Sequence, residues 1–237
     1  MVQAIQILAS LLAVMFIITL HEFAHAFVAY KCGDPTAKFS GRMTLNPVKH
    51  FDPIGVVMFA LAGFGWAKPV PVNPRNFKNY KWGSFWTSAA GIIVNYLTAF
   101  LFCPLLALVH IYVLPEVKGT YAYYFLDTFF WTMLLSSLSF CVFNLLPLFP
   151  LDGFRMVDAL NRRRGKVYQF LYKNGQFILL GLILLHILSG YLPLLGYFDV
   201  LGYVMNYVVR VFSQPITAFW EWIFELCGKK IRFGLFK

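Results

Sequence analysis

Four long stretches of this sequence contain no Asp, Glu, Lys or Arg: residues 1–20, 82–114, 128–151 and 174–198. An apolar helix needs about 20 residues to cross the hydrocarbon core of a bilayer, and each stretch is long enough. Only 13% of the 237 residues are charged, against roughly 25% in soluble domains. The 59% hydrophobic content also excludes a disordered chain, which needs few apolar and many charged residues. The sequence therefore reads as an all-α polytopic membrane protein, with spans expected at about 2–30, 84–114, 126–148 and 174–192. Little length remains for an extramembrane domain. The first stretch lacks a basic leader and a small-residue cleavage site, so it is expected to be a span and not a signal peptide.

Between the first two spans the pattern changes. Residues 55–67 are apolar but carry three glycines; about 13 residues is too short to cross, which suggests a re-entrant segment. Residues 38–48 (KFSGRMTLNPV) mix polar and apolar side chains and end in Asn-Pro, compatible with a short hairpin. A small membrane-associated β-hairpin or re-entrant region is thus expected over 34–75. Beyond the fourth span come residues 197–227, whose apolar part, 200–224, is interrupted by Arg210, Pro215 and Glu221. They read as an additional span or as interfacial helices.

Basic residues set the expected orientation. Lys31, Lys38, Arg42, Lys49, Lys68, Arg75, Lys78 and Lys81 lie between spans one and two. Arg155, Arg162, Arg163, Arg164, Lys166 and Lys173 lie between spans three and four, and Lys118 alone between two and three. The positive-inside rule places the first two groups in the cytoplasm of a multi-pass cell-membrane protein, with the N-terminus outside. The basic tail (Lys229, Lys230, Arg232, Lys237) then prefers the inside, which requires an odd number of crossings after Tyr191 or a tail that ignores the rule. The run Arg162–Arg164 reads as a topology anchor on anionic lipid, not as a nucleic-acid patch. Cys32, Cys103, Cys141 and Cys227 form no short-spaced pair and say little about compartment.

The first span ends in HEFAH: His21, Glu22, Phe23, Ala24, His25. Positions i and i+4 share a helix face, so two imidazoles can hold one metal ion with Glu22 beside it as general base. His25 lies roughly 9 Å and His21 roughly 15 Å before the helix end at Lys31. An ionisable group in a span costs roughly 2.5–3.5 kcal/mol, and a bound divalent cation compensates three such groups in five residues. The bland alternative is a helix end with satisfied histidines and a snorkelling glutamate.

A catalytic zinc site wants three protein ligands and an open position. Asp152, in NLLPLFPLDG (144–153), is the better candidate for the third. Spans one and three both end on the cytoplasmic side, and Pro147 and Pro150 break the helix there. Asp152 could instead cap the helix that follows. His50 is a further candidate, while His110 and His186 sit near the outer face and deep in span four.

These stretches resemble the site-2 protease family of intramembrane zinc metalloproteases, peptidase family M50. HEFAH is similar to the family's H-E-x-x-H, and NLLPLFPLDG to its L-D-G segment. GDPTAKFSGRMTLNPVKHFDPIG and GWAKPVPVNP resemble its minimal bacterial branch, and the likeness runs to about residue 190. No stretch resembles a PDZ or CBS domain. The resemblance implies that His21, His25 and Asp152 bind one Zn²⁺ and that Glu22 activates water. Ala90-Gly91-Ile92-Ile93-Val94-Asn95 resembles the family's A-G-P-x-x-N, with Ile92 in place of proline. Phe149 and Phe154 stand where proline and a small residue are usual.

The expected reaction is hydrolysis of peptide bonds in transmembrane protein substrates. Asn95 and Asn144, polar groups within apolar runs, are candidates for holding the oxyanion or substrate backbone, or for bonding between helices. The loop 63–72 is expected to pair with an unwound substrate as an added strand. The lipid bilayer is the other expected partner. The competing reading is a catalytically inactive metal-binding or scaffold protein of the same fold. A di-iron oxygenase needs more histidines than the five present.

Overall fold

The computed structural model describes residues 1–62, 65, 67–161, 163–229 and 231–233. Gly63, Arg162, Lys230 and Lys237, which enter the readings above, lie outside the described residues. Among the described residues nine α-helices follow one another: α1 (Val2–Lys31), α2 (Thr36–Phe39), α3 (Pro53–Ala62), α4 (Tyr80–Leu108), α5 (Tyr121–Leu145), α6 (Asp152–Leu160), α7 (Lys166–Ser189), α8 (Pro193–Gly196) and α9 (Val200–Leu226). A π-helical turn, Val109–Val113, extends α4. Four helices, α1, α4 with its extension, α5 and α7, are long and apolar enough to cross a membrane.

The centre is a three-helix bundle of α1, α4 and α5. In lipid, apolar burial does not drive helices together; close backbone approach and interhelical hydrogen bonds do, so small residues line the contacts. On α1, every fourth residue is buried: Ala9, Ala13, Ile17, His21, His25, Ala29. On α4 the matching line is Gly83, Thr87, Gly91, Asn95, Ala99, Cys103, Ala107. The HEFAH histidines thus continue a helix-packing stripe. On the opposite face of α4, Ile93, Leu97, Leu101 and Leu105 stay exposed, where lipid would cover them.

Helix α9 closes the bundle. Pro104, inside α4, has no N–H and so leaves the Phe100 carbonyl without its intrahelical donor. The indole N–H of Trp220 on α9 supplies one at 2.8 Å. Tyr96 on α4 reciprocates, its hydroxyl donating to the Phe212 carbonyl of α9 at 3.4 Å. Val209 and Ile216 of α9 join Ala99, Cys103, Leu134, Leu138 and Val142 in one core. Residues Val200–Leu226 are therefore one long helix packed on α4 and α5, following the short α8.

The hairpin expected over 34–75 is corrected: no strand occurs among the described residues. Phe51 and Ala67 form an isolated antiparallel bridge. Residues 36–39 are helical instead, and the N–H groups of Arg42 and Met43 both return to the Ala37 carbonyl. That tight turn leaves 38–48 no length for a second strand. Asn46 accepts from Val48 N–H and starts a 3-10 turn at Pro47, so Asn-Pro marks a turn and not a strand end. The short apolar stretch at 53–62 is helix α3.

Candidate metal centre

α1 and α4 run antiparallel, which sets His25 against Thr87 and His21 against Gly91 and Asn95. The His25 Nδ1 lies 2.6 Å from the Thr87 carbonyl oxygen. A carbonyl only accepts, so Nδ1 carries the proton and Nε2 presents a lone pair. His21 Nδ1 lies 3.1 Å from the Asn95 amide nitrogen. The two Nε2 atoms are 3.0 Å apart.

Asp152 completes the group. The chain leaves α5 at Leu145 and re-enters helix at Asp152, its first helical residue. The N-cap position is Leu151, so Asp152 stands one residue inside the helix. Oδ2 lies 3.2 Å from His21 Nε2 and 3.0 Å from His25 Nε2. The three donor atoms form a near-equilateral triangle, and all three residues are buried. Burial pushes the Asp152 carboxyl up, but the imidazoles of His25 and His21 outweigh it and hold the group well below the usual carboxylate range.

This donor set fits zinc. A tetrahedral ion bonded at about 2.0–2.1 Å holds its ligand atoms about 3.3 Å apart, close to the triangle observed. Asp152 Oδ2 is buried without a hydrogen-bond donor, a costly arrangement that a cation relieves.

Glu22 faces the same cavity, whose volume is about 680 Å³. Its Oε2 accepts a 2.7 Å hydrogen bond from Val70 N–H. Val70 belongs to an extended segment, 67–73, that crosses over the site. Asp34, fully buried, fixes that segment. Its Oδ2 accepts from Asn73 N–H at 2.7 Å and its Oδ1 from the Asn76 amide at 2.8 Å. Arg42 donates to the Lys68 carbonyl at 2.6 Å. Burial pushes the Asp34 carboxyl up, yet bonds from Thr36, Asn76 and Asn73 prevail and lower it. A lowered carboxyl stabilises the fold above its unfolded value, near 3.9, and the benefit is lost only as pH falls through the folded value. Limited proteolysis in nanodiscs should therefore find residues 67–78 equally protected at pH 7 and pH 5. Asp34→Ala should expose them at both, at a cost of about 3 kcal/mol in stability.

The remaining histidines lie elsewhere. His50 is fully buried, with Nε2 on the Thr44 carbonyl at 2.8 Å. His110 pairs with Asp127 and His186 with Asp199. Asn144 lines the cavity, one N–H donating to the Phe140 carbonyl of its own helix.

Comparison with known proteins places the chain in a family. The description of peptidase family M50 matches residues 9–121 and 105–188. The chain belongs to peptidase family M50. YwhC of Bacillus subtilis (strain 168), named as a candidate zinc metalloprotease, is 48% identical over 142 residues. That match covers 60% of this chain and 64% of YwhC, so the chain spans under two thirds of that relative. Rip2 of Mycolicibacterium smegmatis, similarly named, is 29% identical over 214 residues, 85% of this chain and 76% of Rip2. No solved structure matches significantly.

The departures from the M50 pattern now have places. Ile92 is buried in an unbroken α4. Phe149 and Phe154 pack against each other and against Tyr172, and Phe154 stacks on Tyr168 at 5.3 Å. They join the helix carrying Asp152 to α7. Two contacts of the site leave no side-chain signal in the sequence: the Thr87 carbonyl and the Val70 N–H are both backbone groups.

Proposed function

We propose that this chain is an intramembrane zinc metalloprotease that hydrolyses peptide bonds of membrane-embedded protein substrates, with its active site near the cytoplasmic side. The observation that carries the reading is the triangle of His21, His25 and Asp152 with Glu22 on the same cavity wall. One zinc ion per chain would be held by the three donor atoms. When bound, it would polarise the scissile carbonyl and acidify water. Glu22 takes a proton and returns it to the leaving amine. Val70 N–H engages Oε2, which leaves Oε1 for that transfer. Asn144, which lines the cavity, is the candidate donor to the oxyanion.

Ile17, Ile18, Phe140 and Phe143 supply the apolar wall of the cavity, suited to the side chains of a transmembrane segment. A helical substrate hides its carbonyls and must be drawn out to react. The segment 67–73 offers it an edge. Residues 69 and 71 are prolines, and the N–H groups of Lys68, Val70 and Asn73 are engaged. Among the described residues, Ala67 and Val72, both on the cavity lining, are then the donors left for a substrate carbonyl. Orientation rests on the basic loops between spans one and two and between spans three and four.

The test is zinc content by elemental mass spectrometry, with cleavage of single-pass helices co-reconstituted in proteoliposomes. Wild type should hold one zinc per chain and cleave. His21→Ala and Asp152→Ala should keep less than about a tenth of the metal and lose cleavage with it. A metal-free wild type, or full zinc in Asp152→Ala, would sink the reading.

A further inference from the structure

Asn95 is 1% exposed and stands one helical turn beyond Gly91 on the buried line of α4. Its Nδ2 lies 3.1 Å from His21 Nδ1. Its Oδ1 is buried without a donor. An amide N–H aimed at Nδ1 requires a lone pair there, which puts the His21 proton on Nε2. Yet Nε2 is the atom that converges with His25 Nε2 and Asp152 Oδ2, and a proton on it would block a metal. Turning the amide end for end exchanges two atoms of nearly equal size. Oδ1 then meets Nδ1–H, the amide NH2 takes the place Oδ1 held, and Nε2 presents its lone pair. His25 already stands in that arrangement, its Nδ1–H on the Thr87 carbonyl.

We infer that Asn95 is a positioning residue of the metal centre. Its side-chain carbonyl accepts the Nδ1–H of His21 and holds that imidazole in the tautomer and orientation that present Nε2 to zinc. The inference rests on the zinc reading above and replaces an oxyanion role for this residue. Histidine ligands commonly donate their second ring N–H to an oxygen, and losing that partner weakens metal binding about 10–100-fold. On α1 and α4 the two ligands find that oxygen differently: His25 in a backbone carbonyl, His21 in a side chain that substitution can remove.

The experiment titrates Zn²⁺ alone against a chromophoric chelator, using the full chain in detergent. Wild type is compared with Asn95→Leu, Asn95→Ala, Asn95→Asp and His21→Ala, each checked for a cooperative thermal transition. Asn95→Leu and Asn95→Ala should bind zinc about 10–100-fold more weakly. Asn95→Asp, which can only accept, should bind as tightly as wild type or more so, and its cobalt-loaded form should keep the wild-type absorption bands. Two variants without an acceptor are used so that a folding defect in one leaves the other. Wild-type affinity in both would overturn the inference, and so would an Asn95→Asp as weak as Asn95→Leu. A wild type that binds no better than His21→Ala overturns the zinc reading and this inference with it. Strong binding by wild type and by all three Asn95 variants overturns this inference alone.

Discussion

Gly91→Ala should weaken zinc binding while leaving the helix bundle folded. A Cβ built on Gly91 would lie 2.5 Å from His25 Nε2 and 2.7 Å from His21 Nδ1, and against His21 Cε1 as well. Those atoms cannot swing aside cheaply. Thr87 and Asn95 hold the two rings from behind, and α4 itself forms the wall they rest on. The methyl group therefore displaces ligand atoms rather than the ends of flexible chains. Overpacking of this kind costs about 1–3 kcal/mol, and here the strain falls on the two rings that must converge. Zinc affinity should drop about 10–100-fold, since 1.4 kcal/mol is a factor of ten. Gly181→Ala is the matched control: it also sits in a membrane-length helix, α7, and a Cβ there meets nothing within 4 Å. Its zinc content should equal that of wild type. Chelator titration of both variants decides the matter. Full affinity in Gly91→Ala would mean that the rings can move without losing the metal geometry.

The parts of this site that were legible in the sequence are those whose chemistry resides in side chains. His21, Glu22 and His25 declare themselves by spacing, because a helix puts i and i+4 on one face. Asp152 is legible as a carboxylate at a proline-broken helix end, although only the fold separates it from a helix cap. In the fold its Oδ2 turns toward His21 and His25 of α1. The hairpin was misread because Asn46-Pro47 and Gly41 are turn signals that serve a helix–turn as well as a strand–turn. Helix α9 was left open between a span and interfacial pieces because its reason for packing is relational. Trp220 matters to the fold through Pro104, 116 positions earlier, whose missing N–H leaves a carbonyl for it. Asn95 was legible as a polar group needing a partner, but not which partner. A buried amide in an apolar helix bonds to whatever the facing helix presents at that height, and here that is His21.

The largest effect on turnover is expected at the base and its anchor, and the two can be told apart. Glu22→Gln should lower cleavage by about 10²–10⁴-fold, the usual contribution of a positioned proton carrier, with zinc content unchanged because Glu22 is not among the three clustered donors. Val70→Pro tests the anchor. It removes the N–H that holds Glu22 Oε2, at a position already flanked by Pro69 and Pro71. The carboxylate then stays in the cavity but loses its fixed position, and misplacement of about 1 Å can cost about 10²-fold in rate. Val70 also buries its side chain beside Ala26 and Ala37, so Val70→Ala is the needed companion. It keeps the N–H and loses only that packing. Cleavage in proteoliposomes should rank wild type above Val70→Ala, then Val70→Pro, then Glu22→Gln, with zinc near one per chain in all four. If Val70→Pro cleaves as well as Val70→Ala, the hydrogen bond to Glu22 does not position the base. If Glu22→Gln keeps wild-type turnover, proton transfer runs through another group and the assignment of Glu22 fails.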